Sequence, residues 1–150
     1  MIPISDANPT RRLPLVNWLL IWLNGVAFLY ELNMPTRQLD QLISLWGATP
    51  NNILFALTHP LATPVTIWLT LISSQFLHAG WAHIIGNMLY LWVFGDNIED
   101  VLGHFSYLIF YLVSGAAADI VQSFIMGPSR IPSICAAVIG ALAASALAAV

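Results

Sequence analysis

From Leu13 to Leu32 the chain runs twenty residues with Glu31 as its one charged side chain. A helix that crosses a bilayer core needs about 20 apolar residues, with about 17 tolerated, so this stretch reads as a membrane span. It follows the polar tail MIPISDANPTRR and is too long for a secretory leader, whose apolar region covers about 7 to 15 residues. The whole chain agrees: 59% of its residues are hydrophobic and 7% are charged, against about 25% charged in a soluble domain. The class is therefore all-α, a polytopic membrane helix bundle.

The same length rule organises the rest. Residues 1–12 form an N-terminal tail, and spans are expected at about 13–32, 81–95, 105–125 and 134–150. A long first loop, 33–80, holds the short amphipathic segments LDQLISLWG and NNILFALTH between Pro35, Pro50, Pro60 and Pro64. These pieces are too short to cross and are expected at the interface, with Trp46 and Trp68 in the headgroup layer. Gly115 to Ala118 and the alanines of the last span are small residues suited to close helix contact. Arg11 and Arg12 favour a cytoplasmic N-terminus.

Several functions are excluded. Seven acidic residues, four basic residues and no lysine leave a formal charge of −3, so no basic surface exists for nucleic acid. The four histidines form no HExxH or comparable set, and no glycine-rich phosphate loop occurs; no metal site and no cofactor are expected. Cys135 is alone and has no partner within the chain for a disulfide.

Within the second expected span, WAHIIGNMLYLW places His83 and Asn87 four residues apart. Positions i and i+4 share a helix face, and an unsatisfied polar group in hydrocarbon costs several kcal/mol. The face is expected to look into the bundle or a wet cavity. Two readings follow from the residues: interhelical hydrogen bonding, or stabilisation of an oxygen that becomes negative during acyl transfer.

The run WLTLISSQFLHAGWAHIIGNMLYLWVFGDNIEDVLGHFSYLIFYL, with NPTRRLPLVNWLLIWLNGVAFLYEL before it, resembles the rhomboid family of intramembrane serine proteases. The family's His-x-x-x-Asn falls on His83 and Asn87, its loop histidine on His78, and its glycine and glutamate at the end of the second span on Gly95 and Glu99. The resemblance implies a six-helix fold, of which four spans are expected here. It also implies cleavage of transmembrane segments by a serine on the fourth span and a histidine on the sixth, with His83 and Asn87 helping to hold the oxyanion. The implied partners are the lipid bilayer and transmembrane protein substrates or clients; the sequence sets no oligomeric state.

One departure bears on activity. Where the family continues PSI with Gly-Ala-Ser-Gly, this chain has CAAV, and the nucleophile position falls on Ala137. The chain also ends before a fifth or sixth span, so no counterpart of the histidine base is expected, and the chain is read as inactive. Ser133 lies four positions before Ala137 and offers a displaced hydroxyl, about 5.4 Å from the expected place. Cys135 is turned about 200° from Ala137 and reads as a packing residue, and Ser145 lies deep in the last span. A non-catalytic rhomboid-like binder of transmembrane clients is the alternative.

Asp119 lies in the third span, where a charge costs about 2.5 to 3.5 kcal/mol on insertion scales. It is expected either to reach His83 or Asn87 in the cavity or to sit protonated or water-bridged between helices. Asp96, Glu99 and Asp100 read as a solvated acidic turn, with Glu99 anchoring it to a neighbouring helix. Gly86 opens space for another span, and His104 is expected at a helix end.

Overall fold

The computed structural model describes residues 13–132, and its regular elements are helices. Arg11 and Arg12 lie outside that range, as do the expected span at 134–150 and Ser133, Cys135, Ala137 and Ser145 within or beside it. The described helices are α1 (Leu15–Leu32), α2 (Thr36–Trp46), α3 (Pro50–Thr58), α4 (Val65–Ser73), α5 (Trp81–Tyr90), α6 (Asp96–Leu102) and α7 (His104–Met126). A 3-10 turn, Ser74–Phe76, extends α4, and a π-turn, Leu91–Gly95, joins α5 to α6.

Two of the described helices, α1 and α7, are long and apolar enough to cross a bilayer. Their burial is inverted relative to a soluble protein. The buried stripe of α1 is Asn17, Leu20, Asn24, Phe28 and Glu31, at the three- and four-residue steps that follow one helix face. Trp18, Leu19, Trp22, Leu29 and Tyr30 point outward. Apolar exterior and polar interior are the arrangement that hydrocarbon solvent favours, because polar groups find partners only among neighbouring helices.

The α7 helix runs through the middle and packs against α1, α3, α4 and α6. Its inner side is Tyr107, Gly115, Ala118, Asp119 and Ser123, mostly small residues that let other helices approach. Ala48, Ile53 and Leu71 form a core against Ala116 and Ile120 of α7, with Ile67 and Trp68 packed on it. Trp68 thus contributes to internal packing, while Trp46 remains 48% exposed.

The region after Phe94 differs from the sequence reading. The acidic residues do not form a solvated turn: α5, the π-turn and α6 run without a break from Trp81 to Leu102, and Glu99, anchored to a neighbouring helix as expected, is 1% exposed. Burial of its carboxylate is offset by the amides of Val16 and Asn17, which donate to it at 2.9 and 2.7 Å. These amides belong to the first turn of α1, where no intrahelical acceptor exists. The helix stops at Gly103, whose φ of 78° is open to glycine at no steric cost and terminates one helix while α7 begins.

Candidate functional site

The site lies where the 3-10 turn and the loop after it meet α1, α5 and α7. The approach to His78 is pinned to α7 at two consecutive residues. The hydroxyl of Ser74 donates to the carboxyl of Asp119, and both side chains are buried. Gln75 Nε2 donates to the carbonyls of Leu112 in α7 and Leu71 in α4, at 3.0 and 2.8 Å. Asp119 is therefore drawn to the turn four residues before His78.

His78 is held from the other side by α1. Its backbone N–H donates to Glu31 Oε2 at 3.2 Å, and its ring meets Phe28 edge-on, with centroids 6.1 Å apart. The ring is 5% exposed. Burial, reinforced by the neighbouring His83, pushes its pKa down to about 4, so it is neutral at physiological pH. The nearby Phe76 carbonyl opposes that shift, although neither ring nitrogen reaches hydrogen-bond geometry with any described residue.

His83 sits in the first turn of α5 with its ring 5.3 Å from that of His78. Its Nδ1 accepts a long hydrogen bond, 3.4 Å, from the Ala79 amide. An accepting Nδ1 leaves the ring proton on Nε2, and that nitrogen is buried without a hydrogen-bond partner among the described residues. Asn87 follows one turn later and is 7% exposed. The opposite side of α5 carries Trp81 and Ile85, both exposed, so the helix directs its polar pair inward and these bulky apolar residues outward.

The structure thus brings together His78, His83 and, through Ser74, the segment bonded to Asp119. Gly95 and Glu99 lie farther along the same continuous helical run, and His104 pairs with Glu99 there. The sequence reading did not single out Glu31, Ser74 or Asn17. Glu31 carried a usable signal, since a carboxyl inside an apolar run needs a partner; Ser74 carried none.

The Rhomboid domain model matches residues 66–150, which is more than half of the chain and includes the whole His78–Asn87 segment. The chain belongs to the rhomboid family. Rhomboids are integral membrane proteins, and the all-α bundle described above is consistent with that fold class. Rhomboid-like protein 11, chloroplastic, of Arabidopsis thaliana is 34% identical over 82 residues, covering 53% of this chain and 29% of that protein. Rhomboid protease GluP of Bacillus subtilis is 29% identical over 117 residues, covering 78% of this chain and 21% of the relative. Rhomboid protease GlpG of Haemophilus influenzae is 33% identical over 58 residues, 39% of this chain and 30% of the relative. The matched stretch is less than a third of each of these rhomboids. No solved structure matches significantly.

Proposed function

We propose that this chain carries the oxyanion side of a rhomboid-type intramembrane serine endopeptidase site, which acts on peptide bonds of transmembrane segments. The observation that carries this reading is His83. Its Nδ1 is engaged by the Ala79 amide, and its buried Nε2 is a donor unspent among the described residues. The carboxamide of Asn87 is a second donor on the same inward face. Donors directed at one point are what a carbonyl oxygen needs as it turns negative, each worth about 3 to 4 kcal/mol in a low-dielectric site. The neutral His78 beside them adds no competing charge.

The chain itself holds such segments without cutting them. Ala137, at the nucleophile position by resemblance, has no hydroxyl, and loss of the nucleophile lowers turnover about a millionfold in a measured soluble case. Ser133 is displaced from that position by about one turn, and such misplacement forfeits the near-attack geometry. Ala137 therefore favours a client-binding role for this chain within a protease family. Arg11 and Arg12 support an N-terminus on the cytoplasmic side, and the two bacterial relatives fit placement in a bacterial cytoplasmic membrane.

The test uses the full chain in detergent micelles with a fluorogenic transmembrane reporter and a photoreactive transmembrane peptide. The expected result is a cross-link near Asn87, reduced by Asn87→Leu, with no hydrolysis above the enzyme-free rate. Cleavage that a serine-directed inhibitor blocks and Ser133→Ala abolishes would overturn the non-cleaving role. Absence of any cross-link would overturn client binding.

A further inference from the structure

Asn87 and Glu99 stand twelve positions apart on one crossing, and both are buried. An unbroken α-helix turns about 100° per residue, so twelve residues leave two side chains about 120° apart. Glu99 would then share the outward side with Trp81, Ile85 and Trp92, and Val101 would face inward. The opposite holds: Glu99 is 1% exposed and Val101 83%.

The π-turn at Leu91–Gly95 supplies the difference. A π hydrogen bond closes on the fifth residue instead of the fourth, so the turn accommodates one extra residue and sets everything beyond it back by about 100°. With that set-back Asn87 and Glu99 fall within about 20° of each other. Ile84, Asn87, Gly95 and Glu99 become one buried stripe.

The turn is held by two residues from other helices. Asn17 Nδ2 donates to the Leu91 carbonyl at 2.9 Å, and Tyr107 Oη donates to Asn17 Oδ1 at 2.9 Å. Asn17 and Tyr107 are each 2% exposed. A Cβ on Gly95 would overlap the Asn17 side chain and the Tyr107 hydroxyl, so a hydrogen atom is all that this approach admits.

We propose that Asn17 and Tyr107 are positioning residues: they clamp the π-turn and thereby keep the His83–Asn87 face in register with the Glu99 anchor on α1. The inference rests on His83 and Asn87 being the site, but the register itself is read at Glu99 and is independent of that assignment. A failure of the clamp is therefore distinguishable from a failure of the client-binding reading.

The experiment measures amide exchange at Val16 and Asn17, whose protection comes from Glu99, in the full chain in micelles. A second readout is maleimide labelling of Asn87→Cys in a Cys135→Ala background. Asn17→Leu is expected to raise exchange at both amides about tenfold or more. Adding deletion of Phe94 should reverse that loss, because a turn shortened by one residue closes as ordinary α-helix in the same register and no longer needs the clamp. An alanine inserted after Phe94 should unseat one end, seen as fast exchange at Val16 and Asn17 or as rapid labelling at position 87. Lack of rescue by the deletion, or both ends retained after the insertion, overturns the proposal. Should the deleted chain fail to fold, Tyr107→Phe decides: faster exchange at the two amides with α3 and α4 unchanged supports the clamp, and unaltered exchange overturns it.

Discussion

The carboxylate of Glu99 accepts the amide of Asn17 at 2.7 Å, so a side chain from α6 closes the open end of α1. Charged hydrogen bonds of this kind contribute about 1.5 to 3 kcal/mol each. Glu99→Gln keeps one acceptor oxygen but loses the charge and the second oxygen. A fall of about that size in unfolding free energy is expected, measured by denaturant titration in mixed micelles. His104, the other partner of Glu99, is 45% exposed, and His104→Ala should cost no more than about 1 kcal/mol.

The buried ring of His78 makes the loop sensitive to acid. Its folded pKa of about 4 lies below the ordinary histidine value of 6.5, so the unfolded chain binds the proton first. Its contribution is fully present above pH 6.5 and is lost as pH falls from 6.5 towards 4. Each tenfold difference in proton affinity between the unfolded and folded chain corresponds to about 1.4 kcal/mol, which gives a loss on the order of 3 kcal/mol once the solution is as acidic as the folded pKa. Thermal unfolding of the parent chain and of His78→Gln, both followed from about pH 7.5 down to about pH 4, should show this loss as a difference that grows with acidity.

Two glycines on the helical run from Trp81 to Leu102 are expected to behave oppositely. Gly95→Ala drives a methyl into Asn17 and Tyr107 and should cost about 1 to 3 kcal/mol, as overpacking does. Gly86 has no neighbour within 4 Å of an added Cβ among the described residues, and Gly86→Ala should stabilise by about 0.5 to 1 kcal/mol through helix propensity. Paired melting curves of the two variants check both signs.

Ser74 and Asp119 are both buried and bonded to each other. Ser74→Ala removes the donor and should destabilise by about 1 to 3 kcal/mol. Asp119→Asn retains an oxygen for the Ser74 hydroxyl and should cost less. A double-mutant cycle between Ser74→Ala and Asp119→Leu is expected to give a coupling of about 0.5 kcal/mol or more; strictly additive losses would mean that the contact contributes nothing to the fold.

Much of the architecture was legible because hydrocarbon solvent makes one demand throughout: long apolar helices with their polar residues turned inward. That demand located α1 and α7 to within two residues at either end. It also predicted the inward face of His83 and Asn87, since i and i+4 are neighbours in any α-helix. The anchoring of Glu99 to a neighbouring helix was expected, but the cluster Asp96, Glu99 and Asp100 was read as a solvated turn because charge after an apolar run ordinarily marks water. Here the solvent of Glu99 is the first turn of α1, a feature no local pattern encodes.

By itself, then, the amino-acid order determined a membrane-embedded all-α chain, its rhomboid ancestry, and the polar pair on one face of α5. These follow from composition, motif and helical period, which act over short stretches of chain. Only the tertiary structure decided that Glu99 shares that face, that Asp119 meets Ser74, and that Glu31 holds the His78 loop. Each of those depends on a partner between 45 and 83 residues away in the chain or on an added π-turn residue, and such placements arise only when the helices have packed.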